Sequence, residues 1–262
     1  MRKLIALITD FGISDPYAGI MKGVIKSIDA DIDIVEVSHG VTFGNIYQAC
    51  YFLESSLPYF PSGTVFVVIV DPGVGSDRYP IACRYDDKIF IAPDNGCLSP
   101  VLNKPDSIVR IIENDQLTLP QISSTFHGRD IFAPAAAHLA AGFNFDSAGP
   151  VLTEPVYIDY LDCKFNPDSI EFRIRHIDKF GNIITNIPNS AERSLSNMKM
   201  MIAEKDISFM MANTFSSIPA RQIALIKGSS GYLEIVENRN SAAETLDVQP
   251  GDKLTIRYIG GA

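Results

Sequence analysis

Two short polar clusters hold the residues that could do chemistry. The first, residues 71–78, follows an apolar run and contains Asp71 and Arg78 on either side of a Gly-rich turn. The second, residues 125–130, places His127 beside a glycine just before an apolar helical stretch. Carboxylate and imidazole groups are common general bases, and a guanidinium favours the charged form of a nearby carboxylate. The alternative is that Asp71 only caps the turn, with Arg78 as its surface partner.

The apolar run before Asp71, residues 65–70, is rich in β-branched side chains and predicts a strand buried on both faces of a parallel sheet. Similar runs at residues 4–8 and 32–37 end near Asp10 and His39. Ligands bind beyond the carboxyl ends of strands in open α/β sheets. We therefore expect these three strand ends to build one site.

Helical spacing follows the first two strands, over residues 17–28 and 46–57, with Asn45 as the N-cap of the second helix. Strand alternating with helix predicts an α/β fold with a doubly wound, mostly parallel sheet. The remaining elements predicted here are a hairpin at residues 81–84 and 88–91 that could form an antiparallel edge, a strand at 108–112, and a helix at 130–141.

The second part of the chain has a different pattern. Three prolines between residues 149 and 168 mark a linker at residues 152–167, after an N-terminal α/β domain at residues 1–151. Short strands between turn signals then predict a smaller all-β barrel or sandwich domain at residues 168–262. These strands are predicted at residues 171–178, 199–203, 223–227, 233–236 and 253–258.

Composition excludes several classes of function. A formal charge of −9 argues against a nucleic-acid partner, because phosphate backbones are bound mainly by clustered Lys and Arg. The four cysteines form no zinc-ligand spacing, and the chain has neither a phosphate-binding loop of the G-x-x-x-x-G-K-[ST] type nor a G-x-S-x-G elbow. The first apolar run is interrupted at Thr9 and Asp10, too early for a signal peptide or membrane span. We expect an acidic cytoplasmic protein.

Five motifs occur in order along the chain. They are TDFG at residues 9–12, DPGVG at 71–75 followed by Arg78, APDNG at 92–96, FHGRD at 126–130, and FGN at 180–182 with TN at 185–186. This set resembles the S-adenosyl-L-methionine (SAM) hydrolases, also called SAM hydroxide adenosyltransferases. That family is related to the fluorinating and chlorinating enzymes that act on the same substrate.

The resemblance implies a fold and an activity. It implies an N-terminal α/β domain and a C-terminal β-barrel domain, assembled as a homotrimer whose sites lie between neighbouring subunits. It implies cleavage of SAM by water, attacking ribose C5′, to give adenosine and L-methionine. It implies no metal and no organic cofactor.

The resemblance also implies roles for single residues. Asp71, Arg78 and His127 match the triad that holds the nucleophilic water. Asp10 matches a carboxylate that binds the ribose diol, and Phe43 falls where the halogenating relatives carry a Trp over the substrate. In the second domain, Asp178 and Asn182 match contacts to the methionine amino group and the adenine edge, and Ser229 matches a contact to the methionine carboxylate. Ser230 stands where the fluorinating relatives have Arg.

Three other functions remain open on the sequence. A sensor would bind SAM or adenosine without turnover, a SAM-dependent halogenase would transfer halide, and a nucleoside phosphorylase or hydrolase would release free adenine. The carboxylate of Asp71 argues against a halide site, because it would repel an anion strongly in a water-poor pocket.

Overall fold

The computed structural model describes residues 3–195, 199–202 and 205–259. The chain divides into two compact units, Met1–Tyr160 and Leu161–Ala262. This division falls inside the stretch that the sequence predicts as a linker, and the predicted domain boundaries themselves stay a prediction. No helix in the described part of the chain is long and apolar enough to cross a membrane.

A six-stranded mixed sheet forms the centre of the first unit, in the order β2-β1-β3-β5-β4-β6. Its strands are β1 Leu4–Thr9, β2 Asp33–Ser38, β3 Val65–Ile69, β4 Pro80–Tyr85, β5 Lys88–Pro93 and β6 Ile108–Ile111. Strands β2, β1, β3 and β5 are parallel, whereas β4 is antiparallel to both of its neighbours. The predicted hairpin is thus present as β4 and β5, but the outermost strand on that side is β6.

Helices cover both faces of this sheet, as the doubly wound prediction requires. They are α1 Tyr17–Ile28, α2 Ile46–Ser56, α3 Ser99–Leu102 and α4 Ala133–Ala140, with 3₁₀ turns at Leu57–Tyr59, Asp115–Leu117 and Phe145–Ser147. Alternate residues of β1 divide between two apolar clusters: Leu7 packs with residues of α1 and α4, and Ile8 packs with residues of α2 and α3. This division follows from the strand period of two.

Two local irregularities position the loops at the carboxyl ends of the strands. In the β1–β2 pairing Leu7 faces Glu36 but Ile8 faces Ser38, so β2 carries one extra residue at this point. Before α4 the chain forms a π-helical turn at Gly128–Phe132, which overlaps the start of the helix predicted at residues 130–141. Bulges and π turns both occur frequently beside functional sites.

The described part of the second unit has eight strands, and seven of them form a closed barrel. The strands are β7 Lys164–Phe165, β8 Ser169–Ile177, β9 Ile183–Pro188, β10 Lys199–Ile202, β11 Ile207–Met211, β12 Ile223–Lys227, β13 Tyr232–Glu237 and β14 Lys253–Ile259. The ring runs β14-β10-β11-β12-β13-β9-β8 and closes through the β14–β8 pairing, while β7 adds to β8. This confirms the predicted all-β barrel.

Short helices and a large apolar core complete the barrel, and a smaller apolar cluster lies around Ile218 and Val236. The helices are α5 Glu192–Leu195 and α6 Ala242–Leu246, with 3₁₀ turns at Asn189–Ala191 and Phe215–Ser217. The core takes buried side chains from the strands of the ring and from α6, among them Phe172, Met200 and Leu246. The strand predicted at residues 199–203 is observed as far as Ile202, and Ala203 lies outside the described residues.

Candidate active site

The loop after β3 carries Asp71 and returns the chain to Arg78. It bends at Asp71, whose carbonyl accepts a hydrogen bond from Val74 N at 3.2 Å. Gly75 has φ +81°, and a Cβ there would lie 2.5 Å from the carbonyl oxygen of Ser124. Only glycine fits this close approach. The loop is thereby held against the segment that precedes His127.

Arg78 joins Asp71 and His127 through hydrogen bonds. Its Nε donates to Asp71 Oδ1 at 3.0 Å, and its Nη2 donates to Asp71 Oδ2, so the pair is bidentate. The same Nη2 lies 2.8 Å from His127 Nδ1. The guanidinium also lies over the Phe132 ring, 5.3 Å from its centroid. The structure therefore brings together the three residues that the sequence predicts as a water-holding triad.

The guanidinium fixes the tautomer of His127. Arg78 has only donors, so Nδ1 of His127 must accept, and a neutral ring then carries its proton on Nε2. Burial lowers the pKa of His127 from its usual value, and the nearby positive charge of Arg78 lowers it further. We therefore assign His127 as a neutral side chain with an Nε2–H donor at neutral pH.

A cavity of about 530 Å³ opens beside this triad. Its lining residues are Asp10, Phe11, Tyr17, Phe43, Ile69, Asp71, Val74, Ser123, Thr125, Phe126, His127, Gly128 and Arg129. Asp71 and His127 are among them and Arg78 is not, so the guanidinium supports the cavity wall from behind. Within the described residues, no group of three or more His, Cys, Asp or Glu side chains is arranged to hold a metal ion.

Asp10 lines the same cavity from the loop after β1. Its Oδ2 accepts a hydrogen bond from Gly44 N at 3.0 Å. Burial raises the pKa of Asp10 above its usual value, the hydrogen bond from Gly44 lowers it, and the negative charge of Asp71 raises it. Asp10 is thus a partly buried carboxylate that still has lone pairs free to accept from a ligand.

Three aromatic rings form an apolar part of the cavity wall. Phe11, Tyr17 and Phe126 contact one another edge to face, with centroid distances of 5.9, 6.1 and 5.2 Å. A Cβ on Gly128 would lie 3.1 Å from the Phe126 ring and 3.3 Å from the Phe11 ring. The glycine next to His127 therefore lets the π-helical turn pack tightly against these rings.

Phe43 also lines the cavity, but its side chain is 83% exposed. Ile13, in the loop that follows Asp10, is 90% exposed. The first unit thus presents large apolar side chains to solvent at the edge of the sheet where the cavity opens.

Asp178, Asn182 and Ser229 lie in the second unit. Asp178 Oδ1 accepts from the backbone N–H of Phe180 and Asn182 at 2.8 and 2.9 Å, and Oδ2 accepts from Asn182 Nδ2 at 2.8 Å. Both residues belong to the turn between β8 and β9. Ser229 is exposed in the turn between β12 and β13. Their predicted contacts with a ligand stay predictions.

Several residues that line the cavity were not predicted from the sequence, and one residue that was predicted there lies elsewhere. His39, expected at the site, is 5% exposed and is not among the lining residues. Phe11, Tyr17 and Phe126 were not identified as site residues. Phe11 and Phe126 could have been found, because they belong to motifs that also supply Asp10 and His127. Tyr17 gives no such signal.

Comparison with known proteins identifies the family. Residues 5–149 match the SAM hydroxide adenosyltransferase N-terminal domain, and residues 172–255 match the C-terminal domain of the same name. A relative in Methanocaldococcus jannaschii named (R)-S-adenosyl-L-methionine hydrolase is 35% identical, and the match covers 97% of this chain and 96% of that one. A Thermus thermophilus protein of the same name is 31% identical over 93% and 95% of the two chains.

More distant relatives and a solved structure agree with this result. A fluorinase from an Actinoplanes species is 25% identical over 97% of each chain. The crystal structure of an uncharacterized conserved protein from Thermotoga maritima superposes with a TM-score of 0.89 at 33% identity, covering 97% of this chain and 99% of that one. The chain therefore belongs to the SAM hydroxide adenosyltransferase family.

Proposed function

We propose that the protein hydrolyses S-adenosyl-L-methionine to adenosine and L-methionine. The observation that carries the proposal is the placement of Asp71 and His127 on the wall of one cavity, joined behind it by Arg78. Relatives that match this chain over nearly its full length are named as hydrolases of the (R) form of SAM. We propose the same sulfonium form as the substrate here.

The reaction requires little of the protein besides an activated water. The sulfonium leaves ribose C5′ as a neutral thioether, so no general acid is needed. Water attacks C5′ from the side opposite the sulfur, the new C–O bond forms as the C–S bond breaks, and the water loses one proton. A positioned general base contributes about 10² to 10⁴ in rate to such a step.

The hydrogen bonds of the triad support an assignment of the residue that takes the proton. Nδ1 of His127 is occupied by Arg78, and Nε2 already carries a proton, so the imidazole has no free lone pair for the water's proton. Each oxygen of Asp71 accepts one hydrogen bond from Arg78 and keeps a second lone pair. We assign Asp71 as the base and His127 as a donor that orients the water and stabilises the developing hydroxide.

Other residues are assigned to substrate binding. Asp10 accepts hydrogen bonds from the ribose hydroxyls, and Phe43 packs on the substrate. The second unit contributes Asp178 and Asn182 to the methionine amino group and the adenine edge, and Ser229 to the methionine carboxylate. These assignments rest on family membership, supported for Asp10 and Phe43 by their place on the cavity wall.

The assembly follows from the same reasoning. We propose a cytoplasmic homotrimer in which the second unit of one subunit completes the cavity of its neighbour. The exposure of Phe43 and Ile13, 83% and 90%, supports this, because large apolar groups beside a binding site are often covered by a partner. A sedimenting species near the chain mass of 28.7 kDa that keeps full activity would refute the trimer.

A product analysis tests the activity. The purified protein is incubated with each sulfonium form of SAM in chloride buffer, and nucleosides are separated by chromatography. Adenosine and methionine in equal amounts, formed from the (R) form in preference, support the proposal. 5′-Chloroadenosine formed as fast as adenosine indicates a halogenase, free adenine indicates cleavage of the glycosidic bond, and bound but unchanged SAM indicates a sensor.

A further inference from the structure

A buried hydrogen bond lies directly behind Asp10. Thr9 is fully buried at the end of β1, and its Oγ1 lies 2.8 Å from Nδ1 of His39, which is 5% exposed. The same oxygen accepts a hydrogen bond from the backbone N–H of Phe11 at 3.2 Å. The Thr9 hydroxyl therefore joins two groups: the backbone amide of Phe11, which follows Asp10, and the ring of His39.

The carboxylate of Glu36 indicates the direction of the bond between Thr9 and His39. It lies on the Nε2 side of the ring and favours the tautomer with the proton on Nε2, so Nδ1 accepts the Thr9 hydroxyl hydrogen while Thr9 Oγ1 accepts from Phe11 N–H. A neutral ring then carries its proton on Nε2, which lies 3.6 Å from Glu36 Oε1 and has no hydrogen-bond partner among the described residues. Nδ1 of His39 thus serves as the acceptor that fixes the hydroxyl rotor of Thr9.

The extra residue in β2 brings His39 to this place. The β1–β2 pairing slips by one residue just before Ser38, so the chain reaches the end of β1 with His39 turned under the loop. Two backbone bonds join the loops independently of these side chains: Gly12 N to His39 O at 2.8 Å, and Val41 N to Thr9 O at 3.2 Å. Removing the side-chain bond therefore loosens Asp10 without separating the loops.

We infer that His39 is a positioning residue for Asp10 and acts through the Thr9 hydroxyl. The Asp10 carboxylate accepts the Gly44 N–H at Oδ2, so the orientation of its second oxygen follows the backbone between Thr9 and Phe11. The inference rests on the proposed function in one respect, namely that the Asp10 carboxylate accepts hydrogen bonds from the ribose diol. Loss of the Thr9–His39 bond should weaken binding of ligands that carry the diol and spare ligands that lack it.

Matched variants separate the effect of losing the hydrogen bond from the effect of changing the size of the side chain. Thr9→Val removes the hydroxyl at constant size, whereas Thr9→Ser keeps it. His39→Asn keeps an acceptor at the position of Nδ1, whereas His39→Gln moves the amide to the position of Nε2. Thr64→Val is the control, because Thr64 is fully buried, hydrogen-bonded to Pro61 O at 2.7 Å, and lies before β3 at the opposite edge of the same sheet.

The readout is the ratio of the dissociation constants of 2′,3′-dideoxyadenosine and adenosine, measured by calorimetry. We expect at least about a tenfold ratio for the native protein, because a carboxylate accepts charge-assisted hydrogen bonds from the diol. Thr9→Val and His39→Gln should reduce the ratio about fivefold, and they should raise KM for SAM with kcat changed less than about twofold. Thr9→Ser, His39→Asn and Thr64→Val should keep the native ratio.

Several results would overturn the inference. These are a native ratio near one, an unchanged ratio in both Thr9→Val and His39→Gln, or an equal loss in the Thr64→Val control. Thermal melting confirms that each variant is folded. The Thr9 variants and the His39 variants test the same hydrogen bond from its two ends. If one variant does not fold, the variants of the other residue still decide the question. Adenosine formation from SAM by the native protein is measured separately. Its absence would refute the proposed function while the nucleoside ratio still decides the role of His39.

Discussion

The assignment of Asp71 as the base makes a specific prediction for Asp71→Asn. The amide keeps the size of the side chain but removes its charge and basicity. The rate of adenosine formation should fall at least about 10²-fold, and the affinity for SAM should change little, because the lost interaction acts on the water.

The Asp71→Asn substitution should also lower the stability of the protein, and this loss must be separated from the loss of the base. The side chains of Asp71 and Arg78 are 6% and 9% exposed, so Asp71→Asn leaves a buried guanidinium without its carboxylate. Breaking a buried ion pair from one side costs about 3–5 kcal/mol. A loss of activity could therefore reflect a partly unfolded protein rather than a missing base.

A double variant distinguishes the two explanations. Asp71→Asn combined with Arg78→Gln removes both charges, so no charge is left buried and alone. Its melting temperature should recover toward the native value while its activity stays at the level of Asp71→Asn. Asp146→Asn serves as a control, because Asp146 is also paired with an arginine, Arg110 at 3.1 Å, but is half exposed and away from the cavity.

The assay is single-turnover formation of adenosine with the protein in excess over SAM, measured beside calorimetric unfolding of the same samples. Activity that returns together with stability in the double variant would show that Asp71 is only a structural partner of Arg78. Undiminished hydrolysis by folded Asp71→Asn would refute the scheme outright.

Three further predictions concern neighbouring groups. Burial and the adjacent guanidinium lower the pKa of His127, so the folded state binds its proton less readily than the unfolded state. Stability should therefore fall as pH drops below about 6.5, the usual pKa of histidine. Activity should fall only at lower pH, where His127 of the folded protein takes up a proton, and an acid limb at pH 7 or above would contradict this. Burial raises the pKa of Asp10, so the charge of this carboxylate opposes folding at neutral pH. Asp10→Asn should therefore raise the melting temperature and weaken adenosine binding. A lower melting temperature would contradict this prediction. Gly75→Ala should reduce both stability and activity, because its Cβ would collide with the backbone. Gly231→Ala is the control: this residue has φ +90° but open space around it, so the substitution should lower stability only through backbone strain. Equal melting temperatures of the two variants would exclude the collision.

Helices and strands whose apolar residues follow a regular pattern were predictable from the sequence. Helix α1 and strand β12 begin and end where the patterns predict them, because α1 repeats Ile20, Val24 and Ile28 at helical spacing and β12 is a short continuous apolar run. Strand β9 was missed for the opposite reason. It contains Thr185 and Asn186, polar residues that are buried here and resemble a turn signal when read alone.

The sequence was enough to select four charged or titratable residues of the site, but not its aromatic wall or its geometry. Strand ends and motifs were enough to select Asp10, Asp71, Arg78 and His127. The sequence could not show that Arg78 lies behind the cavity wall, because that depends on how the loop between β3 and β4 packs against the loop that carries His127. Nor could it show the π-helical turn at Gly128–Phe132, since its residues also suit a regular helix.

The recessed position of Arg78 has a consequence for inhibition. A ligand in the cavity meets the carboxylates of Asp10 and Asp71, while the guanidinium that balances Asp71 stays out of reach behind them. The sulfonium of the substrate carries a positive charge that this surface attracts, and the hydrolysed nucleoside does not. Adenosine should therefore be a weak product inhibitor, whereas 5′-amino-5′-deoxyadenosine, which places an ammonium where the sulfonium lay, should compete with SAM more strongly than adenosine does.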